Sequence, residues 1–455
     1  MRVAWLDTEN QRSVAVVFLA TLLFAVLAVA SPPLGHDESV YALGGYELTH
    51  DALVPYPLHR PVAMRLVAAP AAVSSSDLDL RLVPVAITGL FLMLLLRLGG
   101  KRIGVTTALV VGTSWVVCRR GATLGSDVPA AALLLGAMLM IGTGCKSGRA
   151  RRWMMLTAAP LAAAAIYVRY ASISSVAVIA IAAAIAWRHQ WRALLAPALA
   201  TAALCALLLV PLALYSHLAT GSPIGIFERA AHEAGRTYIG DGLRYYATTW
   251  WWRDVGPVAT VFMLLGLLAW LRRREPIVSF CVLAALGMIA ATGIASHGEA
   301  RYALLPLGLL VHAGAVFSRE VITDGPLIPY RHARPLRLVL AVACAASFVV
   351  GAMVPIQSSS SALPFSAAQR IADLSRAART PCRVLTESKW QIGWYAECRA
   401  FEDDSFDFAD VPTLAALRPA DVETPIGEMT RGWRIVAITP GYVIVANDSF
   451  VARLR

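Results

Sequence analysis

The side chains of this chain that could do proton-transfer or anion chemistry are few, and nearly all sit between apolar runs. Two carboxylates stand side by side in Gly35-His36-Asp37-Glu38-Ser39. A carboxyl held close to a second one has its pKa raised, toward the range in which it takes a proton at neutral pH. Asp127 opens a later apolar run, and Glu299-Ala300-Arg301-Tyr302 opens another. Three arginines keep similar company, in His59-Arg60-Pro61-Val62, in Tyr167-Val168-Arg169-Tyr170 and in the Arg301 segment. A guanidinium offers a planar fork of donors that matches phosphate oxygens. His36, His59 and His297 could join the acids in holding a divalent ion, but no spacing among them is diagnostic of a metal site. Each residue has a plainer use as well. Asp37 and Asp127 could cap helices, and Arg169 and Arg301 could snorkel from the ends of membrane helices.

The elements that must carry these residues are apolar helices. Of the 455 residues, 58% are apolar and 15% charged, against about 45–50% and about 25% in soluble domains. The mean hydropathy is +0.62. These values exclude a single soluble globular domain and a disordered chain. A spanning helix takes roughly 20 mostly apolar residues. Eleven segments read as spans: 13–31, 81–97, 103–118, 128–144, 153–169, 171–187, 193–216, 256–271, 276–295, 302–318 and 336–355.

The net charge of +11 is topology rather than a phosphate-binding stripe, so nucleic acid is not an expected partner. With the N-terminus in the cytosol, 18 of the 40 Lys and Arg fall in the cytoplasmic segments, 11 in the longer outer segments up to residue 355, and 11 beyond it. That asymmetry follows the positive-inside rule. It puts the candidate residues and the C-terminal region on the outer side. No acid lies at the middle of a span, where a proton or ion relay would want one.

The expected fold class is an all-α polytopic membrane domain of about 11 transmembrane helices over 1–355, with a first external loop at 32–80. A serine-rich linker at 356–361 leads to a small external α/β domain over 362–455. That domain should hold a helix over 366–379 and strands over 383–386, 434–438 and 442–446. Tyr41, Ala42, Gly45 and Leu48 follow Asp37 at helical spacing and predict an amphipathic helix lying on the membrane. Cys382 and Cys398 could pair if their region lies outside the cytosol. Trp250-Trp251-Trp252, with Tyr245 and Tyr246, reads as an interfacial aromatic belt or as a stacking surface for a sugar or isoprenoid.

The first external loop resembles that of the GT-C glycosyltransferases, in the group that includes the protein O-mannosyltransferases and the lipid A aminoarabinose transferases. The resemblance rests on Asp37-Glu38 shortly after the first span, Tyr41 and a Gly/Ala-rich helix after them, and then His59-Arg60-Pro61-Val62. The last motif departs from the family in Arg for Lys and Val for a second Pro. Further along, Leu80-Arg81-Leu82-Val83-Pro84, Asp127 in the second external loop, Arg169 at the outer end of a span, and Glu299-Ala300-Arg301-Tyr302 before Leu304-Leu305-Pro306 also resemble family motifs. Ala300 is an insertion relative to the family pattern. The motifs occur in the family's order and on its side of the membrane.

The resemblance implies an enzyme, a hexosyl or pentosyl transferase working with inversion. It would move a sugar from a polyprenyl-phosphate donor lipid to a hydroxyl of a glycan, lipid or protein acceptor at the outer face of the plasma membrane. Asp37 would be the base, with Glu38 and Asp127 as the further catalytic carboxylates. Arg60, Arg169 and Arg301 would hold the leaving phosphate, supported by His59, Glu299 and Tyr302. A divalent metal is an open cofactor in this family, with Asp37, Glu38, His59 and Asp127 as its candidate ligands here. The alternative is a transporter or flippase of lipid-linked sugars. It predicts charges inside the membrane and repeated halves, and the sequence has neither.

Overall fold

The computed structural model describes residues 8–74, 76–146, 152–233, 240–295, 298–322, 333–353, 359–402, 412–418, 426 and 429–454. His297 and residues 356–358 of the expected linker lie outside these. The chain divides into two compact units. The first comprises 1–28, 58–63 and 84–354, and the second 29–57, 64–83 and 355–455.

The first unit is helical. Among the described residues of the whole chain, five helices are long and apolar enough to cross a membrane: Asp77–Gly100, Asp127–Cys145, Arg188–Thr220, Pro276–Ala295 and Ala300–Glu320. Shorter apolar helices cover Ser13–Val29, Ile103–Gly112, Trp153–Val168, Ser172–Ala186, Pro257–Arg272 and Leu338–Met353. Gly100, at φ 65°, ends one helix and lets the next begin; such a φ is cheap only for glycine. The helix Trp191–Thr220 turns Leu199, Leu207, Leu214 and Leu218 outward, Leu218 being 86% exposed. A surface that apolar belongs against lipid rather than water.

Inside this unit, glycine sets how closely two helices approach. Gly266 on Pro257–Arg273 meets the carbonyl of Leu310, and Gly314 on Leu304–Ile322 meets that of Phe262. A side chain on either would overlap the facing backbone, so small residues hold this pair at van der Waals distance. The same helix, Leu304–Ile322, follows directly on the Arg301 segment and fixes its level.

The second unit holds a five-stranded sheet. Its strands are β1 (Arg383–Leu385), β2 (Arg399–Phe401), β3 (Leu414–Leu417), β4 (Arg434–Thr439) and β5 (Tyr442–Ala446), in the order β2-β1-β3-β5-β4. β1 pairs parallel with β2 and β3; β5 runs antiparallel to β3 and β4. The helix Ser359–Ala378 buries Ala367, Ala368 and Ile371 with Ile392, Leu414, Ile444 and Phe450. A disulfide joins Cys382 and Cys398, whose Cα atoms are 4.9 Å apart, at the starts of β1 and β2. The Arg399 N–H also donates to the Cys382 carbonyl at 3.1 Å.

Of the segment expected as the first external loop, 32–57 and 64–80 group with this sheet unit and 58–63 with the first unit. Its expected amphipathic surface helix is instead a buried one, His36–Tyr46, with every residue from Glu38 to Gly45 buried. The reason is Gly44-Gly45. A Cβ on Gly45 would lie 2.8–3.0 Å from Ala68 and Ala69, so the helix Ala63–Ala72 packs against bare backbone. Ser359, Ser360 and Ser361, expected as linker, begin the helix that runs to Ala378.

Candidate active site

In the first unit, three separate chain segments deliver charged groups to one cavity. Asp127 is the first residue of the helix Asp127–Lys146. Arg169 caps the C-terminus of Ala158–Val168 in extended conformation, which turns its side chain off the helix axis. Arg301 and Tyr302 sit in the 3₁₀ turn Ala300–Ala303 that opens the helix Leu304–Ile322. The cavity they line has a volume of about 230 Å³. Ala130, Leu134, Met288, Leu305 and Pro306 give it apolar walls, and Ser172, Ser174, Ser175 and Thr292 add hydroxyls.

The charges at the cavity are paired with one another. Arg169 Nη1 lies 2.5 Å from Asp127 Oδ1, and Arg301 Nε lies 3.8 Å from Oδ2 of the same carboxylate. Both guanidinium groups stack over the Tyr302 ring, at 4.5 and 5.4 Å from its centre. A ring face attracts a cation, so Tyr302 keeps the two positive charges side by side. The cavity lining carries two guanidinium groups and one carboxylate, and Glu299 pairs with Arg301 from outside the lining. Ser172–Ala186 starts at the cavity wall, and a helix N-terminus adds partial positive charge.

Glu299 anchors this arrangement from behind. Its Oε2 lies 2.5 Å from Arg301 Nε, and its Oε1 accepts from the Tyr302 hydroxyl at 2.8 Å. Its own main chain is held by Tyr246, whose hydroxyl donates to the Glu299 carbonyl at 2.9 Å and accepts from its N–H at 3.3 Å. Burial pushes the Tyr246 phenol well above its usual pKa, so it stays a donor. Gly298, at φ 79°, leaves no room for a side chain against Tyr245 and Gly242. Tyr245 in turn donates to Asp254 at 2.8 Å, and Arg119 pairs with the other oxygen of Asp254 at 3.2 Å.

The aromatic run divides by role. Trp250 is fully buried against Tyr246, and Trp251 donates its Nε1–H to the Tyr246 carbonyl at 2.6 Å. Only Trp252 is exposed, at 68%. Trp251 and Trp252, with Leu243, Leu264, Leu286 and Ile289, line a second, apolar hollow of about 570 Å³. Tyr246 as a support for Glu299 was not readable from the sequence, because a tyrosine in an aromatic run carries no sign of its hydrogen-bond partner.

His59-Arg60-Pro61 also lies in the first unit. The Tyr170 hydroxyl donates to the Arg60 carbonyl at 3.1 Å and accepts from the Val62 N–H at 3.3 Å. This ties the turn to the residue next to Arg169.

Asp37 and Glu38 belong to the second unit. Asp37 is not the helix cap: the helix starts at His36 after Gly35, and Glu38 Oε2 accepts from the Gly35 N–H at 2.9 Å. Asp37 is half-buried in the first turn, and capping falls to Glu38. Arg81, also buried, lies 3.7 Å from Glu38 and donates to the carbonyls of Ser31, at 3.1 Å, and Pro32.

Among the described residues, no group of three or more His, Cys, Asp or Glu side chains is placed to hold a metal ion. The Asp127 carboxylate, one of the candidate ligands, lies 2.5 Å from Arg169 Nη1.

The fold is similar to that of an ArnT and of archaeal oligosaccharyltransferases of known structure. In particular, the chain is similar to ArnT from Cupriavidus metallidurans bound to undecaprenyl phosphate, with a TM-score of 0.68 and 14% identity over 97% of this chain and 99% of that one. It is similar to the archaeal oligosaccharyltransferase AglB from Archaeoglobus fulgidus in complex with an inhibitory peptide and a dolichol-phosphate, with a TM-score of 0.55 and 13% identity over 96% and 74% of the two chains. The Archaeoglobus fulgidus oligosaccharyltransferase in complex with Zn and sulfate matches with a TM-score of 0.55 and 14% identity, over 95% and 73%. No protein-family model matches the sequence, and no curated protein does.

Proposed function

We propose that this chain is a membrane glycosyltransferase that moves a sugar from a polyprenyl-phosphate donor to an acceptor hydroxyl at the outer face of the membrane. The observation that carries the reading is the cavity on which Asp127, Arg169, Arg301 and Tyr302 converge. Its fold match to a protein bound to undecaprenyl phosphate supports the same donor class.

In this reading the acceptor oxygen attacks the anomeric carbon as the bond from that carbon to the phosphate oxygen breaks. The proton goes to Asp37 and the electron pair to the phosphate. Arg169 and Arg301 take up the developing phosphate charge, an electrostatic role that suits cations fixed before the reaction. Arg60 adds a third cation. Asp127 keeps the two arginines apart and aimed until the donor arrives. One direct displacement gives inversion. The sugar is a hexose or pentose, and the acceptor a glycan, lipid or protein.

The five long apolar helices and six of the shorter ones serve as eleven spans. The N-terminus is cytoplasmic and the sheet unit external. The Cys382–Cys398 disulfide supports that side, since such bonds persist in oxidising compartments.

The test uses membrane vesicles and radiolabelled polyprenyl-phosphate sugars. Label should enter a new glycoside, and Arg169→Ala should stop it. Label crossing the bilayer with no new glycoside would overturn the reading in favour of a flippase.

A further inference from the structure

The chemistry proposed for Asp37 needs a carboxylate held to within about half an ångström. Yet Asp37 follows Ser31-Pro32-Pro33-Leu34-Gly35, a stretch with no regular structure of its own. What holds it comes from the other end of the chain. The Leu34 N–H donates to the hydroxyl of Tyr395. That hydroxyl donates onward to Asp77 Oδ2 at 2.6 Å, and Trp394 Nε1 donates to Asp77 Oδ1 at 3.1 Å. Both oxygens of Asp77 are therefore used by neighbouring residues of the helix Lys389–Ala396.

The surrounding contacts make this a fixed point rather than a chance touch. The Tyr395 ring stands edge-on to Phe365, 4.7 Å between centres, which ties it to the helix Ser359–Ala378. Trp390 meets the His36 ring edge-on at 6.4 Å. Gly393 approaches Val54 and Leu43 so closely that a Cβ would lie 2.9 and 3.5 Å from them. The Ala400 N–H of β2 donates to the Leu53 carbonyl at 3.3 Å. Along the loop itself, Arg81 takes the carbonyls of Ser31 and Pro32, Tyr395 the N–H of Leu34, and Glu38 the N–H of Gly35. Leu34 is fully buried.

We propose that Tyr395 is a positioning residue for the transfer reaction: through Leu34 and Asp77, the C-terminal sheet domain sets the place of the Asp37 carboxylate. The inference rests on the reading of Asp37 as base. It gives the C-terminal domain a part in the chemistry, though none of its side chains touches the reacting atoms. Burial and the neighbouring Asp77 hold the Tyr395 phenol above its usual pKa, so it remains a donor across the working pH range.

Tyr395→Phe removes one oxygen and keeps the ring against Phe365. Turnover should fall about 10–100-fold, because an ångström of misplacement costs about that much. The donor KM should stay within about twofold, since the phosphate is held elsewhere. The deciding measurement is a double-mutant cycle with Asp37→Asn, in purified protein with its disulfide intact. With the base already removed, Tyr395→Phe should cost less than about twofold more. An equal loss in both backgrounds would overturn the proposal, and so would a loss confined to KM. Wild-type turnover in Asp37→Asn alone would defeat the base assignment and the proposal with it. Asp77→Asn, which cannot accept from both Trp394 and Tyr395, should reproduce the Tyr395→Phe result. It serves in its place if that variant misfolds.

Discussion

Tyr246 holds Glu299 by its main chain, one phenolic oxygen donating to the carbonyl and accepting from the N–H of the same residue. The grip sets the turn from which Arg301 and Tyr302 project. Tyr246→Phe strands two backbone groups at once, and the cost of a buried group left unbonded is about 1–3 kcal/mol. A lower melting temperature together with reduced turnover is the expected result. Melting measured by intrinsic fluorescence in detergent, alongside the vesicle assay, checks both.

Arg169 and Asp127 give a second prediction. A hydrogen bond to a charged group contributes about 1.5–3 kcal/mol, so Arg169→Ala should weaken donor-lipid binding about 10–100-fold. Arg169→Lys keeps the charge but loses the planar fork and the stack on Tyr302. It should fall between the two. Binding of a fluorescent polyprenyl phosphate reads the series, and equal affinity in all three proteins would remove Arg169 from the phosphate site.

Asp37 can be tested apart from folding because it does not cap its helix. Asp37→Asn should lower turnover by about 10²–10⁴-fold, the usual worth of a positioned base, with the melting temperature unchanged. Glu38→Ala should do the reverse at first order. It loses the bond to Gly35, which as a capping interaction is worth about 1 kcal/mol. Parallel melting and activity curves for the two variants separate the roles.

The disulfide closes a loop with a sequence separation of 16. Chain-entropy reasoning gives such a loop about 3 kcal/mol. The Cys382→Ala/Cys398→Ala variant should therefore unfold at clearly lower denaturant concentration. Mass spectrometry of the non-reduced wild type should show the two peptides joined.

The orientation is checked by fusions. Alkaline phosphatase joined after Arg455 should be active, and joined after Arg273 inactive. The opposite pattern would invert the side on which every candidate residue acts.

The apolar helices and the strand over 442–446 were legible because long apolar runs and alternation survive without tertiary information. β2 and β3 were not. They have three and four residues, and Leu414-Ala415-Ala416-Leu417 has the composition of a helix; only its place beside β1 makes it a strand. Asp127, Arg169, Arg301, Glu299 and Tyr302 were each visible as charges or aromatics at the ends of apolar runs. Their convergence on one cavity was not, because it depends on the packing of helices far apart in the sequence. Asp77, Trp394 and Tyr395 carried no signal, since their partners lie 317 and 318 residues apart.

That separation also has a meaning in time. A ribosome adds about 5–20 residues per second, so a gap of this size takes tens of seconds to cross. Through that interval the segment bearing Asp37 is already made, and Leu34, Val40 and Leu43 have no completed unit to bury them. A chain halted at any point before Trp394 therefore carries Leu34 and Asp77 without the side chains that hold them. The segment bearing Leu34 gains these partners only once the helix Lys389–Ala396 has been made.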